Sequence, residues 1–194
     1  MIARILAAYP PKEQAVCITA LAEPVFHVSD PLSLDETGAA ERLPCTYRLG
    51  AEKADQELTV HNGAGQPVHL VAIDCCLFAS DDPSRCDCAL VQGETIHFIE
   101  FKHGNYRRRT ERIQDCIRQL ANSINDFYNA GVLPPRHTVL AIACVGFTEE
   151  LPPRNASLEA LQARINLRVP ADVVVELRVT DTTHFGLSAV AEVG

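Results

Sequence analysis

Asp87, Glu100 and Lys102 are the residues of this chain whose types and spacing could do chemistry. Two carboxylates can hold a hard divalent cation through oxygen, and Mg²⁺ commonly takes one or two of them, filling its remaining positions with water and substrate oxygens. A lysine two residues along the same face can reach a phosphate oxygen or a metal-bound water. Side chains alternate faces along a strand. In IHFIEFK (96–102), Ile96, Phe98, Glu100 and Lys102 therefore share one face, and His97, Ile99 and Phe101 the other. In CDCALV (86–91), Asp87, Ala89 and Val91 share a face. A two-residue turn at Gly93-Glu94, suited to type II′, pairs Gln92 with Thr95 and so sets Asp87 directly opposite Glu100. Opposed Cβ atoms lie about 4.5–5.5 Å apart, where two carboxylates repel and destabilise the sheet. On an otherwise apolar face that cost grows, and a bound cation offsets it. The competing arrangement is an internal salt bridge in which Lys102 neutralises one acid on a solvated face. An acid and a lysine two apart in a strand decide nothing alone; the in-register Asp87, the apolar face and the basic stretch that follows favour the cation site.

The elements that must position these residues are legible from residue 56 onward. QELTVHN and QPVHLVAIDCCLF flank Asn62-Gly63-Ala64-Gly65 and read as a first hairpin. CDCALV and IHFIEFK form the second. Ile113, Ile117, Leu120, Ile124 and Tyr128 then recur at helical spacing, which predicts an amphipathic helix over 107–130 stopped by Gly131 and Pro134-Pro135. HTVLAIACVGF (137–147) reads as a strand buried on both faces. Ser157–Leu167 is a second helix and 172–180 a last strand. The first 55 residues carry weaker signals, with a short helix expected around 35–43. The order of elements predicts a mixed α/β domain with helices packed on a central sheet.

Asp87, twelve intervening residues, then Glu100-Phe101-Lys102, on a hairpin followed by a helix and a buried strand, resembles the PD-(D/E)xK nuclease superfamily. That group includes many restriction enzymes, Holliday-junction resolvases and RecB-type nuclease domains. The resemblance covers residues 68–147. It implies a restriction-endonuclease-like αβββαβ core, with a mixed central sheet flanked by helices, and Mg²⁺- or Mn²⁺-dependent hydrolysis of phosphodiester bonds in DNA or RNA. It implies metal ligation by Asp87, Glu100 and the Phe101 carbonyl, with Lys102 positioning the attacking water. Three departures stand out. Cys86 replaces the proline before the first acid. The family's upstream helical acid has only Glu41, and behind it Glu57, as candidates. RecB-type members carry QxxxY on the following helix, where this chain has Gln119 followed by Ser123; Gln114 and Arg118 are other polar candidates there.

On this basis the chain is one domain, 1–194: an N-terminal embellishment (1–55), a nuclease-like core (56–147), and a C-terminal helix and strand completing the sheet (148–194). The net charge of −8 is unlike that of a general nucleic-acid binder. A local basic stretch nevertheless follows the site, and Arg107, Arg108, Arg109 and Arg112 at the helix start could contact phosphates. A solvated charged helix end is the plain alternative for each. His103 could touch substrate and Tyr106 could stack on a base, although packing explains a loop aromatic equally. His97 faces away from Glu100 and reads as structural, and Asp74 ends a strand close by.

Most of the eight cysteines sit in apolar runs and are expected to be reduced core residues. The Cys75-Cys76/Cys86/Cys88 cluster lacks zinc-ligand spacing. No apolar run reaches the length of a membrane helix, the N-terminus lacks a signal-peptide pattern, and a cytoplasmic location is expected. The expected partners are nucleic acid, DNA ahead of RNA, and a protein partner or second copy, with no membrane. The alternative to a nuclease is a catalytically silent or partner-dependent binding module on the same fold.

Overall fold

The computed structural model describes residues 1–9, 17–34, 40–50, 52–63, 65–78, 84–102, 109–145 and 155–186. Its elements are α1 (Ile2–Ala8), β1 (Ile18–Leu21), β2 (Val25–Ser29), β3 (Leu32–Leu34), β4 (Ala40–Arg42), β5 (Thr46–Leu49), β6 (Leu58–Asn62), β7 (Val68–Ala72), β8 (Cys88–Gln92), β9 (Thr95–Phe101), α2 (Arg109–Asn129), β10 (Thr138–Cys144), α3 (Asn155–Asn166), β11 (Val174–Val179) and β12 (Thr182–Phe185). The main sheet has six strands in the order β1-β7-β8-β9-β10-β11. It is antiparallel from β1 to β9 and parallel across β9, β10 and β11. A second sheet runs β12-β6-β2-β5, and β3 pairs with β4 in a separate ribbon.

Alternation along the central strands builds two cores. Ala89, Val91, Ile96, Phe98, Val139 and Ala141 turn toward the helices, where Ile113, Ile117, Leu120 and Ile124 of α2 meet them. Leu90, Ile99, Phe101 and Ile142 turn the other way, toward Phe26, Val28, Leu58 and Val60 of the second sheet. The architecture is therefore helices, six-stranded sheet, four-stranded sheet. No helix among the described residues is long and apolar enough to cross a membrane.

The second hairpin has the expected register, with Gln92 opposite Thr95 and Cys88 opposite Ile99. Gly93 takes a positive φ of 58°, the left-handed region that glycine enters at no steric cost. α2 ends as anticipated: Gly131 turns left-handed at φ 73°, and Val132 N–H donates to the Phe127 carbonyl at 2.9 Å, closing the helix with a glycine cap.

Two expectations fail. The segments around Asn62–Gly65 do not form a hairpin: β6 pairs with β2 and β12, whereas β7 pairs with β1 and β8. The inward residues of both strands, Leu58 and Val60 on one side and Val68 and Leu70 on the other, line the same core from opposite sheets. Stacking face to face buries both apolar sets, which pairing side by side would leave half covered. Part of the helix expected around 35–43 is a strand, since 40–42 lies in β4 opposite β3; residues 35–39 lie outside the described segments.

Among the described residues β11 is an edge strand. Val174 N–H bonds toward β10, donating to His137 O, so Val175 and Leu177 direct their backbone groups to the open edge. The Gln162 side chain of α3 occupies them, donating to Val175 O at 2.7 Å and accepting from Leu177 N–H at 2.8 Å. An amide that imitates a neighbouring strand blunts an edge open to mispairing. Gln162→Ala is expected to lower stability by about 1–2 kcal/mol and to speed aggregation on heating. Light scattering through a thermal ramp checks this, and a variant that aggregates no faster than the parent would remove the guarding role.

Candidate functional site

The site lies where the second hairpin opens. Cys88 opposite Ile99 is the last ladder pair, so Asp87 and Glu100 come next to each other. Beyond it the strands part, and the Asp87 side chain takes the place of a ladder carbonyl: its Oδ2 accepts from Phe101 N–H at 2.6 Å. The Asp87 backbone carbonyl accepts from Ile73 N–H at 3.0 Å and Asp74 N–H at 3.2 Å. Those donors belong to an irregular turn after β7, where Asp74 is extended and Cys75 left-handed at φ 59°. A non-glycine residue is strained there, and just ahead of it the Ile73 and Asp74 N–H groups converge on one oxygen.

Glu100 is fully buried and Asp87 is 6% exposed. One Glu100 oxygen accepts from the Lys102 ammonium in a salt bridge. The other, Oε2, is buried with no donor on it among the described residues. The Glu100 and Asp87 carboxyls interact side chain to side chain, and they can share a hydrogen bond only when one of the two acids holds a proton. Burial pushes Asp87 up to about 7, and the charge of Asp30 adds to the rise. Burial and then the Asp87 charge push Glu100 well above the carboxylate range. For Lys102, burial works against the charged form, but the Glu100 charge and hydrogen bond outweigh it and raise its pKa. A buried pair of like-charged carboxyls beside one lysine binds a proton or a cation more readily than it stays doubly ionised.

No family model matches the chain, and no curated protein and no solved structure matches it.

A hard cation suits these residues in ligand type. The donors are carboxylate oxygens, one of them is orphaned, and Lys102, 27% exposed, marks the side open to solvent. Among the described residues no three His, Cys, Asp or Glu side chains converge as a ready-made cage, so a cation here would complete its shell with water and substrate oxygens, as Mg²⁺ does.

The other expected residues separate into groups. Arg109 and Arg112 sit in the first turn of α2, while His103, Tyr106, Arg107 and Arg108 lie outside the described residues. Glu41 lies in β4 opposite Ser33 and not on a helix. Glu57 is committed elsewhere: Arg48 grips it through Nε at 3.0 Å and Nη2 at 2.8 Å. Gln119 is 5% exposed and donates to the Arg85 carbonyl at 2.9 Å, two residues ahead of Asp87. His97 is structural, its Nδ1 in a 2.9 Å hydrogen bond with Thr183 Oγ1 and its ring stacked on Phe185. The cysteines do not form a zinc cluster: Cys76 is bridged to Cys17, and Cys86 and Cys88 face opposite cores.

Asp30 was not legible in the sequence. The β2/β5 register ends with Ser29 opposite Thr46, and Asp30, the next residue, acts electrostatically on both Cys45 and Asp87. Cys45 packs in the same core as Cys88, the neighbour of Asp87. Only packing between the sheets creates this proximity, and no local signal announces it.

Proposed function

We propose that the chain is a divalent-cation-dependent nuclease in which Asp87 and Glu100 hold Mg²⁺ or Mn²⁺. The observation that carries this is the buried, directly opposed pair of acids, with Glu100 Oε2 left without a donor among the described residues. The element order β7-β8-β9-α2-β10, an antiparallel trio followed by a helix and a parallel strand, supports a restriction-endonuclease-like core. A bound divalent cation would lower the pKa of a coordinated water and offset charge developing on the phosphate. The remaining steps belong to the chain. Asp87, pinned by Phe101 N–H, presents its other oxygen. Glu100 would offer Oε2 to the cation, and the Lys102 ammonium beside it would donate to a phosphate oxygen or to the attacking water and stabilise the charge gained in the transition state. Arg109 and Arg112 stand at a helix N-terminus, where cations are unfavourable for the helix itself and an anion is welcome. Together with Arg107 and Arg108 they would hold flanking phosphates of DNA or RNA.

The test is incubation with plasmid DNA, single-stranded DNA and RNA, with Mg²⁺ or Mn²⁺ present or replaced by EDTA. Cleavage should require the cation and fall by about 100-fold or more in Lys102→Ala, in line with loss of one electrostatic donor. Cation-independent cleavage, or cleavage unchanged in Lys102→Ala and Glu100→Ala, would reject the assignment. A second function is favoured by the closed Glu100–Lys102 salt bridge: a binding module whose acids are neutralised internally. It predicts neither Mn²⁺ binding nor cleavage, with nucleic-acid or protein binding retained in Glu100→Gln.

A further inference from the structure

Residues 84–86 precede Asp87 outside any strand, so no ladder fixes them. Their partners come instead from one row of polar side chains on α2. Asn122 Nδ2 donates to Ser84 O at 2.8 Å, and Gln119 Nε2 donates to Arg85 O at 2.9 Å. Cys86 N–H donates to Ser123 Oγ at 2.9 Å, and Arg85 Nε donates to Asp126 Oδ2 at 2.6 Å. Residues 119, 122, 123 and 126 follow the i, i+3, i+4, i+7 pattern of a single helix face. A polar face normally meets water, yet Ser123 is fully buried and Gln119 nearly so. Polar groups are buried at a cost unless hydrogen-bonded, and here every one of the four is spent on a three-residue stretch whose next residue is Asp87.

We infer that this row on α2 is a positioning device for Asp87, with Gln119 and Ser123 as its buried anchors. Asp87 is an acid set against Glu100 and Asp30 in a buried place, and it would relieve that crowding by swinging outward if the preceding backbone were free. The row denies it that freedom and keeps its carboxylate on Phe101 N–H and opposite Glu100. The inference is that positioning serves the cation site, and in that part it rests on the function proposed above.

Two readouts on the intact chain separate the possibilities. The first is amide hydrogen exchange at Phe101, whose N–H donates to the Asp87 carboxylate. The second is Mn²⁺ affinity by calorimetry. Gln119→Ala and Ser123→Ala should each speed Phe101 exchange at least tenfold relative to Ile99 and weaken Mn²⁺ binding at least tenfold, at a temperature where both variants remain folded. Asn125→Ala is the control: it removes a hydrogen bond from the same helix to Arg168 O, and should destabilise without moving either readout. Unchanged Phe101 exchange in both variants would overturn the positioning role. Faster Phe101 exchange with unchanged Mn²⁺ affinity would overturn its service to the cation site. Faster exchange with no Mn²⁺ binding even in the parent chain would overturn the nuclease assignment while leaving the positioning role standing.

Discussion

Asp87→Asn is expected to make the cation-free protein more stable at pH 8 while abolishing cation-dependent cleavage. The sign follows from the acid's raised pKa. In the unfolded chain Asp87 titrates at its ordinary 3.8, and in the fold at about 7, so the folded state holds the proton more tightly. Below about pH 4 both states are protonated and nothing is lost. As pH rises toward 7 the unfolded chain gains an ionisation that the folded chain resists, and stability falls by up to about 1.4 kcal/mol per pH unit. Above about 7 the full penalty remains, on the order of 4 kcal/mol before relaxation. Asparagine carries no charge, and its Oδ1 can still accept from Phe101 N–H, so most of that penalty should vanish. Urea unfolding of both proteins at pH 4 and pH 8, in EDTA, checks it: near-equal stabilities at pH 4 and a clear gain for Asn at pH 8. A gain of the same size at both pH values would mean that charge burial is not what strains the site. A residue that costs stability and is needed for activity is what a site arranged for a ligand looks like; a purely structural acid would show stability and function falling together.

The hairpin that carries the acids was readable because its information is local. A two-residue turn with glycine at its first position leaves one register, and period-two alternation then assigns every side chain to a face. The same local signals misled at β6 and β7, because alternation says that a strand has a buried face without saying which sheet covers it. β2, β5 and β12 are four or five residues long and pair with strands remote in sequence, so nothing nearby marks them. The polar row on α2 was half visible. Gln119 drew notice through the family resemblance, whereas Asn122, Ser123 and Asp126 have the composition of an ordinary wet helix face. What distinguishes them is that residues 84–86 have no strand partners, a fact that belongs to tertiary structure.

Most of the cysteines are free and buried as expected, but Cys17 and Cys76 depart from that reading for a related reason. Cys17 and Cys76 are separated by 59 residues and each lies beside apolar residues, yet the antiparallel pairing of β1 with β7 brings them to one end of the sheet with Cα atoms 5.6 Å apart, bridged as a disulfide. Closing a loop of that length removes conformational freedom from the unfolded chain, and loss of such a bridge costs about 2–4 kcal/mol. Cys17→Ser is therefore expected to lower the unfolding free energy by that amount under non-reducing conditions. It should have no effect in excess reductant, where the parent chain drops to the same stability. With eight cysteines in the chain and two in the bridge, the denatured, non-reduced parent should titrate six thiols; eight would show that the bridge does not form. The variant also probes the site. Cys76 belongs to the turn whose Ile73 and Asp74 N–H groups hold the Asp87 carbonyl, while β1 stays paired to β7 without the bridge. Stability lost with Phe101 exchange unchanged would locate the bridge's contribution in the unfolded chain. Stability lost together with Phe101 protection would show that the bridge, from one side, and the α2 row, from the other, hold Asp87 between them.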